Sequence, residues 1–323
     1  MRGSISIIAR GVCSLILIGL LLYRTDLQSI ADSLSDIRTG WFVLAASLHI
    51  SGVFLTAWRW WILLKARELN VPILYLARSF LIASFLNFFF PTSVGGDVFR
   101  AYDTAKYTGE PEKALGILLV ERLSGLFSLV LLAVLASPWV AALYGSAGLA
   151  TTPVVIAIIF IVVSLLLFWK PFIAGIGRMF DLPVLRKVKR KARDVHEAMT
   201  SFRFHKIAFG YAFLVGLLLQ LNFVLHHYFI ARAVDMPVSF PVFLFLVPLV
   251  SVLLLVPASL NGIGLRENAF VVLLSVLGVP REQSIAFCAL LFGAMVLFGI
   301  IGGIVYAVGG GVRRSDYPED KHR

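Results

Sequence analysis

Charge is the scarcest commodity in this chain. Only 15% of its 323 residues are Asp, Glu, Lys or Arg, whereas a soluble domain carries about 25%. The shortage is local. No charged residue occurs in Leu123–Trp169, Ile207–Ala231, Met236–Leu265 or Gln283–Val312. A helix needs about 20 apolar residues to span a bilayer. The first stretch therefore holds two spans around a turn, and each of the others holds one with some excess. This pattern excludes an ordinary soluble domain and predicts an all-α integral membrane protein. Cysteine is almost absent too. Cys13 and Cys288 both lie inside apolar runs, which excludes a disulfide framework and leaves no metal-ligand spacing. No phosphate loop, nucleophile elbow, HExxH or paired-carboxylate motif is found. No cofactor is expected, and the chain is not expected to be an enzyme.

The charge that is present is mostly positive. The formal net charge is +11, but the basic residues flank apolar runs, where they fix topology and attract anionic headgroups. Nucleic acid is therefore rejected as a partner. Six full spans are predicted, at 4–23, 41–58, 115–136, 150–169, 207–230 and 283–308. Arg2 and Arg10 before Gly11–Tyr23 resemble a signal peptide. Arg24 follows at once and no small-residue cleavage site occurs, so an uncleaved span is expected. Two further apolar regions, 72–106 and 240–280, are each broken by a Pro/Ser/Gly cluster.

The segment 170–206 is basic and carries Leu185, Val188, Ala192, Val195, Met199 and Phe202 on one helical stripe. It is predicted to lie on the cytoplasmic membrane surface. Counting outward, both termini face the cytoplasm, as does a short tail, 313–323. The residues Arg59, Lys65, Arg67 and Glu68 are read as a cytoplasmic flank. Region 72–106 must then begin and end inside, and 240–280 must begin and end outside. Each is a re-entrant hairpin or a pair of full spans. The membrane domain, 1–312, is read as a single unit of a cell-membrane, multi-pass protein.

The two broken regions also align. Pro91-Thr92-Ser93-Val94-Gly95-Gly96 matches Pro257-Ala258-Ser259-Leu260-Asn261-Gly262, and Arg100 matches Arg266, all at an offset of 166. Three spans separate the copies, so the repeats, around 72–136 and 240–308, should be inverted. Inverted repeats with broken helices build transporters with a site near the midplane. Irregular backbone there must be buried in protein or line a wet cavity. The candidate site follows from this. Ser93 and Ser259 can cap the helices leaving each break. Gly95, Gly96, Asn261 and Gly262 allow the reversal and present backbone N–H groups to an anion. Arg100, Arg122 and Arg266 form a cationic pocket suited to a lipid phosphate. Asp97 and Glu267 balance that charge when the site is empty, or contact a cationic headgroup. Glu121 and Arg122 lie deep in a span, where charge is costly; an ion pair that merely holds the bundle is the competing reading.

Other polar residues carry weaker signals. Trp58, Trp60 and Trp61 read as an interfacial belt. His226 and His227 read as interfacial anchors, Gln220 and Asn222 as interhelical hydrogen bonds, and His49 as a packing residue.

Three blocks in order resemble a known family: Phe88-Phe89-Phe90-Pro91-Thr92-Ser93-Val94-Gly95-Gly96-Asp97-Val98-Phe99-Arg100, Val120-Glu121-Arg122-Leu123-Ser124-Gly125, and Pro257-Ala258-Ser259-Leu260-Asn261-Gly262-Ile263-Gly264-Leu265-Arg266-Glu267. The chain is similar over about 10–310 to the lysylphosphatidylglycerol synthase transmembrane region, the flippase-like (UPF0104) family. In multiple peptide resistance factors this region is the flippase half, ahead of a soluble synthase that uses aminoacyl-tRNA. Here only Arg313–Arg323 follows, so aminoacyl transfer is not expected. The resemblance implies translocation of a lipid: an anionic or aminoacylated phospholipid, or a polyprenyl-phosphate lipid. An ion-coupled small-solute transporter, or a non-transporting partner of a lipid- or glycan-modifying enzyme, are the alternatives. A homo-oligomer and a lipid-modifying enzyme partner are both compatible with the sequence.

Overall fold

A computed structural model describes residues 37–88, 90, 95–145, 147–168, 197, 200–256 and 259–308. The predicted span 4–23, most of the basic segment 170–206, the tail 313–323 and Ser93 lie outside them. All regular structure among the described residues is helical. The helices are α1 (Thr39–Lys65), α2 (Ile73–Leu86), α3 (Gly95–Thr108), α4 (Pro111–Tyr144), α5 (Ala147–Phe168), α6 (Lys206–Ala233), α7 (Phe240–Leu253), α8 (Leu265–Val276) and α9 (Arg281–Val308). Helices α1, α4, α6 and α9 are long and apolar enough to cross a membrane. Helix α5 is a further apolar helix at the predicted span 150–169. The arms α2, α3 and α7 have 14 residues and α8 has 12. At 1.5 Å per residue each is about 18–21 Å long, short of the hydrocarbon thickness of about 30 Å.

Local chemistry explains both breaks. Helix α2 runs to Asn87, ahead of Pro91, which cannot continue a helix. The Gly96 N–H donates to Asn87 Oδ1 at 2.6 Å, tying the two arms together across the break. A Cβ at Gly96 would crowd the Ala83 carbonyl oxygen at 2.6 Å, so glycine is required there. The second break turns through a 3-10 segment, Leu260–Gly262, with Asn261 and Gly262 at φ 48° and 77°. Helix α8 then starts at Gly264, whose N–H donates to Glu267 Oε2 at 2.6 Å.

The order long, short, short, long occurs twice: α1–α4 and α6–α9. The turns between the elements recur as well. Leu69 N–H donates to Leu64 O at 3.0 Å, and Met236 N–H donates to Ala231 O at 2.9 Å. Each bond closes a helix through one left-handed acidic residue, Glu68 at φ 62° and Asp235 at φ 53°. This is the αL helix stop. Gly109 and Gly278, at φ 74° and 79°, end the two hairpins, and each is followed two residues later by proline.

The first helices of the two sets pack side by side and antiparallel. Arg38 N–H donates to Ala233 O at 2.9 Å, His226 Nδ1 to Ala45 O at 2.9 Å, and Asn222 Nδ2 to Ser51 Oγ at 2.6 Å. The last helices cross over: α9 packs on α2, and α4 packs on α7. A Cβ at Gly302 would collide with the Leu81 carbonyl, and one at Gly299 with the Phe88 ring. Small residues thus allow the close α2–α9 approach. One apolar core surrounds Trp60, Leu63, Leu64 and Ile117. The other surrounds Phe243, Phe245, Phe270 and Phe287.

Three expectations need correction. Helix α1 does not end near residue 58. It continues to Lys65, and Arg59 is buried at 2% exposure rather than lying in a cytoplasmic flank. Trp60 is 1% exposed and part of the core, although Trp58 is exposed as a belt residue would be. His226 and His227 are buried, and the His227 ring packs against Phe270 and Phe287. They are interior residues, not surface anchors. His49 stacks on Phe298 with centroids 3.7 Å apart, as a packing residue should.

Candidate functional site

A small cavity of about 180 Å³ opens where α1, α3, α4 and α6 meet. Thr56 and Arg59 from α1, Asp97 and Arg100 from α3, Glu121 and Arg122 from α4, and Gln220 from α6 line it. Arg100 is the hub. Its Nη1 donates to Asp97 Oδ1 at 3.0 Å, and its Nη2 reaches Glu121 Oε2 at 3.2 Å. The guanidinium sits over the rings of Trp60 and Phe80, 4.6 and 5.5 Å from their centroids, a cation–π arrangement. Trp60 Nε1 donates to Thr104 Oγ1 at 3.2 Å, which holds the indole in place. Arg122 pairs with the other oxygen of Asp97 and remains half-exposed at the mouth. Buried ion pairs persist only where geometry and hydrogen bonds offset desolvation, and this network supplies both.

Arg59 completes the cavity from the opposite wall. Its Nη2 donates to Glu121 O at 2.9 Å and to Ser124 Oγ at 2.6 Å. Its Nε is buried with no partner. Two glycines make room for it. A Cβ on Gly216 would lie 2.9 Å from Arg59 Cζ, and one on Gly125 would lie 3.3 Å from Nη1. Sequence reasoning missed this residue because its neighbours, Trp58, Trp60, Trp61 and Lys65, imitate the rim of a membrane span. A signal was present: five apolar residues separate Arg59 from Lys65, so the apolar run does not stop at 58.

Of the predicted site residues, the structure brings Asp97, Arg100, Glu121 and Arg122 together. Gly95 and Gly96 form the buried start of α3, where Asn87, not a serine, occupies the Gly96 N–H. The residues of the second break do not line this cavity. Arg266 Nη2 donates to Asn261 O of its own turn at 3.1 Å, and Nη1 lies 3.4 Å from Met295 Sδ on α9. Glu267 caps its own helix instead of balancing the arginines. Gly262 lies within the same turn, and Ser259 Oγ is buried without a partner. The expected three-arginine pocket is therefore corrected: Arg59 supplies the third guanidinium, and Arg266 belongs to a separate turn.

A wider groove, about 990 Å³, runs between the end of α1 and the start of α6. Trp58, Trp61, Tyr211 and Leu218 line it, and Lys65 and Lys206 stand at its rim. It is larger than the cavity but holds no acid–base network.

The three blocks that carry the family resemblance fall on this framework: two border the breaks and the third carries Glu121 and Arg122. The sequence profile described as "Lysylphosphatidylglycerol synthase TM region" matches residues 7–303. The chain belongs to this family. It is therefore a multi-pass membrane protein of a lipid-related family, with four described helices of spanning length. No match was found among curated proteins. In this lysylphosphatidylglycerol synthase TM chain, the residues with buried ionic chemistry concentrate at one hairpin, and the other hairpin is largely satisfied by its own backbone.

Proposed function

We propose that this protein moves a phospholipid, or a polyprenyl-phosphate lipid, between the leaflets of the cell membrane, without nucleotide hydrolysis and without breaking a bond. The observation that carries the reading is the buried Asp97–Arg100–Glu121 network, with the half-exposed Arg122 paired to it, around a cavity beside a broken hairpin. Charge inside a membrane bundle is costly and is a functional-site hypothesis by default. The volume fits a headgroup phosphate and its immediate substituents but falls below the 300–1,000 Å³ of a site that engulfs a drug-sized ligand. The acyl chains would stay in lipid while the phosphate exchanges with Asp97 or Glu121 on Arg100 and Arg122.

Several features support a two-sided device. The four arms are too short to span upright, which fits re-entrant hairpins. The antiparallel α1 and α6, with matching caps, support inverted repeats. With the basic segment 170–206 in the cytoplasm, the termini fall there as well.

The test is reconstitution into phosphatidylcholine vesicles with a trace of fluorescent phosphatidylglycerol and a reductant added outside. Active protein carries inner-leaflet lipid to the outer leaflet, where the impermeant reductant bleaches it. Bleaching identical to that of protein-free vesicles removes the proposal. An ion-coupled solute transporter is the second reading, favoured by the ring contacts His49–His226 and His226–His227 at 5.6 and 5.7 Å. Solute uptake driven by a proton gradient, with no lipid movement, would select it.

A further inference from the structure

We infer that the cavity carries one uncompensated positive charge, seated on Arg59, and that its ligand is a single monoanionic phosphodiester. The inference deepens the lipid-transport reading and rests on it only for the source of that group. Three guanidiniums line the cavity, those of Arg59, Arg100 and Arg122, against two carboxylates, Asp97 and Glu121. Three minus two leaves +1. The pairings show where the excess lies. Asp97 serves Arg100 and Arg122, and Glu121 serves Arg100. Among the described residues Arg59 makes no salt bridge: Nη2 donates to a backbone carbonyl and a hydroxyl, and the Glu121 carboxylate attracts it from beyond contact while pairing with Arg100.

An arginine cannot shed its proton to escape this position. A buried charge with no carboxylate in contact is strongly unfavourable, so the cavity favours an anion. Arg59 Nη1 makes no hydrogen bond among the described residues and lies beside the cavity-lining Gly125, so the planar fork keeps a charged donor for a phosphodiester oxygen. One excess charge matches one such group. Gly216 lets α6 pack against the Nε side, and Gly125, which lines the cavity, leaves room beside Nη1; a side chain at either position would push the guanidinium aside.

Ser124 offers a clean test. Its Oγ already lies 2.6 Å from Arg59 Nη2, so Ser124→Asp would supply the missing carboxylate from within the protein. The full chain in dodecyl maltoside micelles is titrated with dihexanoyl-phosphatidylglycerol, with phosphate-free dihexanoylglycerol and with glycerol 3-phosphate, and binding is read by native mass spectrometry. Wild type should bind the phosphatidylglycerol and ignore dihexanoylglycerol. Tighter binding of phosphatidylglycerol than of glycerol 3-phosphate assigns a lipid source; equal binding assigns a free organophosphate to the same site.

Ser124→Asp and Arg59→Gln should each weaken binding about tenfold or more, the loss of one charge-assisted hydrogen bond. Arg59→Lys should fall between, because it keeps the charge without the fork. Thermal unfolding without ligand should show Ser124→Asp at least as stable as wild type. Wild-type affinity in folded Ser124→Asp or Arg59→Gln overturns the inference. If Ser124→Asp does not fold, the Arg59 pair decides alone. The vesicle assay separates the two claims. Wild type that binds but moves no lipid removes the transport reading and leaves the anion site. Variants that bind and move lipid like wild type remove only the Arg59 assignment.

Discussion

Arg100 and Arg266 each stand nine residues beyond the proline of a broken hairpin, yet their surroundings have little in common. Arg100 bridges carboxylates from two helices and sits over two aromatic rings. Arg266 turns back onto the carbonyl of Asn261 in its own loop. At the hairpin offset of 166, Asp97 corresponds to Ile263. Matching Pro111 to Pro280, Glu121 and Arg122 correspond to Leu290 and Leu291. Matching the caps at Glu68 and Asp235, Arg59 corresponds to His226. The second half has kept the backbone devices and holds apolar residues where the first half has its acids. An arginine after a membrane break is thus not a site by itself. The partners contributed by other helices make it one.

The largest expected effect comes from removing the two arginines in parallel. Arg100→Met leaves Asp97 and Glu121 facing each other with one fewer cation. Breaking a buried pair from one side costs ~3–5 kcal/mol. The variant should unfold well below wild type in detergent and lose lipid movement in vesicles. Arg266→Met forfeits one hydrogen bond to a carbonyl and a weak one to Met295 Sδ, ~1–3 kcal/mol, and should keep most of its activity. Equal losses in the two variants would erase the distinction between the hairpins.

A smaller effect tests how the halves are joined. The hairpins are linked through exchanged partners, α9 on α2 and α4 on α7. Gly302→Val drives its Cβ into the Leu81 carbonyl and adds two methyl groups. Overpacking of this kind costs ~1–3 kcal/mol, and Gly302→Ala should cost less. Thermal unfolding of the two variants measures the order. If Gly302→Val unfolds like wild type, α2 does not depend on α9 for its position.

Much of this was legible in the sequence because run length is. An apolar stretch of 20 residues can hardly be anything but a span, and a Pro/Gly cluster within one must break it. Glu121 and Arg122 were legible because charge deep in an apolar run is costly enough to mark itself, and Asp97 and Arg100 because they follow a break that recurs at Pro257–Arg266. Arg59 was not, because a charge at the end of a run looks the same whether it faces water or another helix. Only the glycines of α4 and α6 show which, and their proximity is a tertiary fact. The assignment of Arg266 to the same pocket failed for a related reason. Sequence similarity between the breaks reports similar backbone, whereas pocket membership depends on helices far away in the chain. The repeated helix caps went unseen because one left-handed residue can be almost anything: the stop requires a φ value, not a motif.

Those caps give the finest comparison of the two halves. Glu68 and Asp235 both sit at positive φ, 62° and 53°, where a non-glycine residue carries a penalty of ~1–2 kcal/mol. Replacing either with glycine removes that strain but adds the entropy of a freer unfolded chain, ~0.5–1 kcal/mol. Glu68→Gly should therefore gain up to ~1 kcal/mol. Asp235 has a further partner, Arg38 at 2.8 Å, with both side chains more than half-exposed. An exposed pair contributes ~0.2–1 kcal/mol, and Asp235→Gly forfeits it. The second substitution should stabilise less than the first, or not at all. High salt should narrow the gap, because it already weakens the Arg38–Asp235 attraction in wild type. A gap that stays the same across a salt titration would mean that the two turns differ in backbone strain rather than in charge.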